Sequence, residues 1–405
     1  MKPLTVGALF AGYGGMEQGI AQVLPVSLSW FAEFDAAPSA VMAHHHPGVP
    51  NLGDVTKVGW SAVPRVDVIT GGSPCQDLSH AGKRKGMTDG TRSNLWAEMR
   101  EAVAVLRPRL VVWENVRGAY SAHADSDLEP CAGCVGGDGS DGEPVLRALG
   151  RVLGDLSELG YDANWYGLRA ADVGAPHARF RVFLFAQPAD ADVKGLEGLR
   201  GAAGTSQTGR RHGHAESRPG RPDLTLLPTP TSSDTNGASA HGTGGPDLRT
   251  AVSLLPTPSV ADGMGGHLSR SGDRSHELLL PGVAKRLGEQ SGQAGYADDG
   301  RGGRSLDVEA RRAENWGDYA PAIARWESVL GRPAPAPTEP NAKGGHRLSP
   351  RFVEFLMGVP EGWVCDVPGI TRNQALKALG NGIVPQQCAA AFRAYLTDTA
   401  REAIA

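Results

Sequence analysis

Short apolar runs alternate with longer amphipathic stretches through the first 187 residues. Leu4 to Phe10 is followed by Ala11-Gly12-Tyr13-Gly14-Gly15, and the pattern predicts a strand, a glycine turn and a helix over Met16 to Leu24. A second strand is predicted over Ser27 to Ala32, ending in Glu33-Phe34-Asp35, with a helix over Ala36 to His46 behind it. Val66 to Thr70 is a third apolar run, ending in Gly71-Gly72-Ser73-Pro74-Cys75-Gln76. Ser93 or Asn94 can cap a helix that runs to Leu106 and stops before Pro108, ahead of a strand over Leu110 to Trp113. A helix over Pro144 to Leu159, stopped by Gly160, precedes strands over Asp162 to Arg169 and Phe180 to Ala186. This alternation predicts an α/β domain with right-handed parallel crossovers.

The pattern changes at Pro188. From there to about Gly345 the chain is rich in Gly, Ser, Thr, Pro, Arg and His, and regular periodicity is scarce. Leu226-Leu227-Pro228-Thr229-Pro230-Thr231 recurs as Leu254-Leu255-Pro256-Thr257-Pro258-Ser259, each copy running on to an aspartate, Asp234 or Asp262. Two copies are too few for a solenoid and predict paired extended elements joined by loops. Trp316, Tyr319, Ile323, Trp326 and Leu330 recur at helical spacing, a stripe expected to pack on a neighbour. Globular character returns at about 346, with a helix from Ser349-Pro350 to Met357 and a turn over Gly358 to Trp363. A short helix over Gln374 to Leu379 leads into Gly380-Asn381-Gly382, and a longer helix follows over Val384 to Ala400. The chain thus divides into 1–187, 188–345 and a closing segment 346–405.

Charge adds little at the level of the whole chain. A net charge of −4 announces no nucleic-acid binder, so any such surface must come from local clusters such as Arg200, Arg210, Arg211, Arg218 and Arg221. Five irregularly spaced cysteines fit a reducing compartment rather than a disulfide scaffold, and a cytoplasmic protein is expected. The apolar N-terminal run is too short to span a bilayer and is broken by glycines, so neither secretion nor membrane insertion is expected.

The candidate chemistry lies at strand ends. Cys75 sits on a Gly- and Pro-stiffened turn beyond the third strand, and Glu114 ends the next. If those strands are neighbours, roughly 5 Å separates them, and the thiol and carboxylate share the rim where open α/β folds bind ligands. Arg179 and Arg181 would point to one face of a strand and could hold a carbonyl oxygen or a phosphate. The glycine turn lacks the dinucleotide fingerprint, since Glu17 stands at the third glycine position. A cofactor without a pyrophosphate is therefore favoured. Glu33 lies where a ribose hydroxyl is held in such folds, and Asp54 is a second candidate contact. His80 to Gly86 is a basic, glycine-hinged loop able to close over a polyanion. Cys131-Ala132-Gly133-Cys134 is half a zinc site without a second ligand pair, and no metal is expected.

Six of these stretches together resemble one family. Phe10-Ala11-Gly12-Tyr13-Gly14-Gly15, Gly72-Ser73-Pro74-Cys75-Gln76, Glu114-Asn115-Val116, His177-Ala178-Arg179-Phe180-Arg181, Arg347-Leu348-Ser349-Pro350-Arg351 with Gly358-Val359-Pro360, and Gly380-Asn381-Gly382 follow the order of the DNA (cytosine-5)-methyltransferases. The resemblance covers 1–187 and 346–405. It implies a Rossmann-like mixed sheet that uses S-adenosylmethionine as methyl donor, with a largely irregular target-recognition domain inserted at 188–345. It implies duplex DNA as substrate. Phe10, Gly12, Gly14, Gly15, Glu33, Asp54 and Asn381 would surround the cofactor. Cys75 would be the nucleophile, Glu114 would engage the base at N3 and the exocyclic amine, and Arg181 with Arg179 would bind the carbonyl O2.

Ala8 stands where the family commonly has Asp, and Gly382 where it frequently has Ser. The Ala124–Glu143 stretch lies outside the family pattern. The resemblance leaves open a role beside a cognate restriction endonuclease or as a solitary or phage-borne enzyme, and monomeric action is the default. Methylation of cytosine in RNA and a catalytically silent DNA-binding protein are the rival readings. Amino-methylation does not fit, because Ser73-Pro74-Cys75 lacks the Asp/Asn-Pro-Pro-aromatic pattern.

Overall fold

Alternation along one central strand shows how the core is made. Leu110 and Val112 face one side with Val6, Val68, Phe183 and Phe185, while Val111 and Trp113 face the other with Ile69 and Leu184. The structure is a computed structural model that describes residues 2–73, 95–120, 148–189, 255–263, 267–271, 277–293, 316–341 and 345–402.

The elements of the first part are β1 (Leu4–Leu9), α1 (Gly15–Ala21), β2 (Val26–Ala32), α2 (Ala36–His45), β3 (Val68–Gly71), α3 (Trp96–Leu106), β4 (Leu110–Val116), α4 (Ala148–Glu158), β5 (Tyr161–Arg169) and β6 (Phe180–Pro188). They form a six-stranded sheet of order β2-β1-β3-β4-β6-β5. The first four strands are parallel, and β6 runs antiparallel to both β4 and β5. This is the mixed sheet the resemblance implied. The neighbouring pair expected from the crossover is present too, with Gly71 opposite Trp113.

Later elements are α5 (Leu280–Gln293), α6 (Ala320–Leu330), β7 (Thr338–Pro340), β8 (His346–Leu348), α7 (Pro350–Leu356), α8 (Arg372–Asn381) and α9 (Pro385–Glu402). α1 and α9 cover one face of the sheet, where Phe185 stacks on Phe392 and Tyr395 at 5.3 and 5.1 Å. α3 and α4 cover the other. A separate apolar cluster joins Leu255, Leu280, Val283, Ile323 and Trp326 to Phe352, Phe355 and Leu379. The aromatic stripe packs as expected: Trp316 stacks on Phe352, and Trp326 Nε1 donates to Phe355 O. α5 and α6 put regular structure inside the stretch that composition marked as irregular. Among the described residues no helix is long and apolar enough to cross a membrane.

One helix end differs from expectation in an informative way. Gly380 and Asn381 look like a turn in the sequence, yet α8 runs through both. A capping box of Thr371 and Gln374 starts this helix, and Leu376 and Leu379 carry its buried face onward. Gly380 is there for space: a Cβ on it would lie 2.5 Å from the Ser259 carbonyl carbon.

Candidate active site

The exit from β3 toward Cys75 is pinned to β4. Trp113 Nε1 donates to Ser73 Oγ at 3.2 Å, and Asn115 Nδ2 donates to Ser73 Oγ at 3.2 Å and to Ser73 O at 3.3 Å. A Cβ on Gly72 would stand 2.8 Å from Glu114 Oε2, so the turn presses directly on that carboxylate. Residues 74–94, with Cys75 and the basic loop 80–86, lie outside the described residues. So do Cys131, Cys134, the first repeat copy and the basic cluster at 200–221.

Glu114 and Arg181 form the ion pair at this rim. Arg181 Nε lies 2.6 Å from Glu114 Oε1, with the two side chains only 11% and 12% exposed. Pairing of β4 with β6 sets Val116 opposite Arg181 and so brings them together. Burial pushes the Glu114 carboxyl above the usual carboxylate range, although Arg181 and then Arg179 pull it the other way.

Arg179 has a different set of partners. β6 begins only at Phe180. The Arg179 guanidinium donates to Pro258 O at 3.1 Å, to Gly380 O at 3.0 Å and to Gly382 O. Sequence alternation put both arginines on one face, and both act on Glu114. The structure adds that Arg179 is buried among backbone carbonyls from two distant segments.

The glycine turn and the end of β2 make a second rim. Phe10, Gly12 and Gly14 have φ of 52°, 56° and 80°. A Cβ on Gly12 would meet nothing within 4 Å, so the turn opens there. Glu33 reaches across to it: Gly12 N donates to Glu33 Oε2, and Asp35 N to Glu33 Oε1, both at 2.8 Å. Burial raises the Glu33 carboxyl against these bonds. Asp54 starts a single 3-10 turn and accepts from Thr56 N and Thr56 Oγ1, which helps hold its carboxyl below the usual range. Asn381 is exposed at the end of α8.

Phe34 is the residue sequence reasoning passed over. It is 79% exposed directly after Glu33, an aromatic face on the rim of this opening. Its signal in the sequence is a large apolar side chain between two acids at a strand end.

Tyr13 explains why Gly382 is glycine. A Cβ on Gly382 would lie 1.9 Å from the Tyr13 ring, and a Cβ on Gly15 would crowd the same ring at 2.8 Å. The buried Tyr13 hydroxyl donates to Ile383 O, and Trp363 Nε1 donates to Tyr13 O at 2.8 Å. Trp363 itself stacks on His45 at 3.6 Å. Gly382→Ala is expected to destabilise the fold by roughly 1–3 kcal/mol, because the ring has no free space to enter. Urea unfolding of the two proteins measures this.

His177 is fully buried, with Nε2 3.0 Å from Leu356 O, and burial pushes it down to about 3. Its lowered folded value gives a stability contribution that is complete above about pH 6.5 and is lost as pH falls toward 3. Between pH 7 and 4.5 the parent should lose about 2–3 kcal/mol through this group, a loss His177→Gln should lack. Urea unfolding at the two pH values reads it as a difference in slope, independent of any fixed cost of the substitution.

A family model described as C-5 cytosine-specific DNA methylase matches residues 4–208, half of the 405-residue chain. The chain belongs to that family. The matched span of this methylase family member contains the glycine turn, Glu33, Cys75, Glu114, Arg179 and Arg181. Type II methyltransferase M.NlaIV of Neisseria lactamica is 30% identical over 189 residues, which is 45% of this chain and 41% of that protein. A DNA N-6-adenine-methyltransferase of Escherichia phage P1 is 34% identical over 161 residues, 36% of this chain and 21% of that protein. The chain therefore spans less than half the length of these relatives. The structure of S. pombe Dnmt2 methyltransferase aligns over 98% of this chain and 99% of that one, with a TM-score of 0.50 and 14% identity, a likeness of fold alone.

Proposed function

We propose that this chain transfers a methyl group from S-adenosylmethionine to C5 of a cytosine in duplex DNA. The observation that carries the reading is the buried Glu114–Arg181 pair set against the Gly72–Ser73 turn that leads to Cys75. Cytosine C5 is too weak a nucleophile to take a methyl group unaided. Attack of the Cys75 thiolate on C6 forms a C–S bond and makes the ring enamine-like. Glu114, whose carboxyl holds its proton more firmly than usual, supplies a hydrogen bond or proton at N3. Arg181 stabilises the charge that gathers on O2. C5 then takes the methyl group, loses its proton to a base, and the C6–S bond breaks to return the thiolate. A base stacked in a duplex cannot reach this rim, so the target nucleotide must leave the stack.

When bound, the cofactor would supply an electrophilic methyl on a sulfonium and leave as the neutral thioether once the S–CH3 bond breaks. The second rim fits its adenosine part: the Glu33 carboxylate, fixed by Gly12 N, keeps acceptor capacity for ribose hydroxyls, and Phe34 offers a ring face for the base. Asp54 and Asn381 are the further contacts in this reading, beside Phe10, Gly14 and Gly15. The adenine activity in the phage P1 relative's name does not carry over, because Ser73-Pro74-Cys75 lacks the turn that chemistry uses. A type II methyltransferase among the relatives supports a role beside a restriction endonuclease.

Duplex DNA carrying 5-fluorocytosine tests the reading, because fluorine at C5 blocks the proton loss that frees the enzyme. With cofactor present, a covalent protein–DNA adduct through Cys75 is the expected result. An adduct-free reaction on DNA that is otherwise methylated would remove the covalent route.

A further inference from the structure

The second copy of the repeated motif is built into the catalytic core. Leu255 is buried, its N donates to Pro176 O at 2.7 Å, and it bridges to His177 in parallel. Pro258 O accepts from Arg179 at 3.1 Å. Ser259 and Val260 pack on Gly380 so closely that no Cβ fits. Asp262 is buried and locks the turn by accepting from Ser259 N at 2.7 Å. The other nitrogen of the Arg179 fork holds Gly380 O and Gly382 O, which flank Asn381. Gln387 Nε2 fixes the Arg179 backbone in turn, donating to Arg179 O at 2.9 Å and to Leu168 O at 3.0 Å.

One guanidinium thus joins three places: the start of β6, the end of α8, and a segment of the 188–345 region. Resting on the DNA-methylation reading and on target recognition lying in 188–345, we propose that Arg179 is a positioning residue that clamps the 255–263 segment against the helix end carrying Asn381. It thereby sets how the target-recognition region is aimed over the strand ends. The base contact belongs to Arg181, which pairs with Glu114 at the rim, whereas Arg179 is committed to carbonyls of the chain itself. Asp262 serves the same clamp from the other side by holding the Pro258–Ser259 turn in the shape that Arg179 and Gly380 accept.

The split between the two roles is measurable. Arg179→Lys keeps the charge but loses the two-pronged fork, and Asp262→Ala removes the turn lock. Both variants are expected to raise KM for duplex DNA about tenfold, with kcat within about threefold of the parent. Both should methylate additional sequence contexts in plasmid DNA. Asp262→Asn, which keeps an acceptor oxygen, should restore parent behaviour.

Hydrogen exchange at the Leu255 and Ser259 amides gives a readout that needs no methylation, and both variants should exchange there about tenfold faster. A loss of kcat in Arg179→Lys with KM and exchange unchanged would make Arg179 a base-contacting residue and overturn the proposal. Asp262→Ala behaving as the parent in KM, context and exchange would overturn it as well. A parent protein that methylates no duplex DNA defeats the functional reading instead, and the exchange rates still decide whether the clamp exists.

Discussion

Cys75→Ser stops methyl transfer, with turnover falling by about 10⁴-fold or more while cofactor affinity stays within about twofold of the parent. The size follows from the nucleophile. A free thiol ionises near pH 8.5, and a few per cent or more is thiolate at neutral pH, whereas a serine hydroxyl contributes almost no alkoxide without a dedicated base. Glu114 is already paired with Arg181 at 2.6 Å, so it offers no free carboxylate to activate a hydroxyl. The rim proposed for the cofactor lies at Gly12, Glu33 and Phe34, just beyond the ends of β1 and β2, so binding there should survive. Labelled-methyl transfer to duplex DNA and titration calorimetry with S-adenosylmethionine read the two halves separately. Full activity in the serine variant would eliminate the covalent mechanism.

Glu114→Gln is expected to lower kcat by 10²–10⁴-fold, the range associated with loss of a positioned acid or base. The amide nearly preserves shape beside Gly72, so the turn toward Cys75 should stay in place. What disappears is the counter-charge of Arg181 in the free protein and, in the proposed mechanism, the group that presents a proton to N3 once the base is bound. Leaving that guanidinium largely buried without its partner should also cost about 3 kcal/mol of stability. The pH profile separates the effects. In the parent, activity that needs protonated Glu114 falls as pH rises through its raised value, and the Gln variant lacks this limb. A Gln variant with parent kcat and the same limb would assign the proton to another group.

Much of this site is legible in the chain because it rests on local rules. A glycine turn after an apolar run, an acid at the end of the next strand, and a thiol and a carboxylate beyond two strands joined by one helix are all short-range patterns. The sheet honours part of this: Gly71 lies opposite Trp113, and Glu33 reaches Gly12. Glu114, however, lies within β4 opposite Phe183 rather than beyond the strand end, because pairing with β6 carries β4 on to Val116. Arg179 shows where such rules stop. Alternation tells which face a side chain takes, but the partners of Arg179 lie 79 and more residues away, and no local period encodes them. Gly380 misleads for a related reason. It resembles a helix stop, yet it is glycine because Ser259 and Val260 pack against it from a distant segment. Phe34 was hidden because exposure is a property of the assembled surface, not of the residue.

Bisulfite sequencing of plasmid DNA from cells expressing this chain, beside the Cys75→Ala variant, decides whether the chain methylates cytosine through Cys75. Protected cytosines confined to one short sequence context are expected in the parent, and none in the variant. Unprotected plasmid from the parent, or the same protection with alanine at 75, would contradict methylation through Cys75.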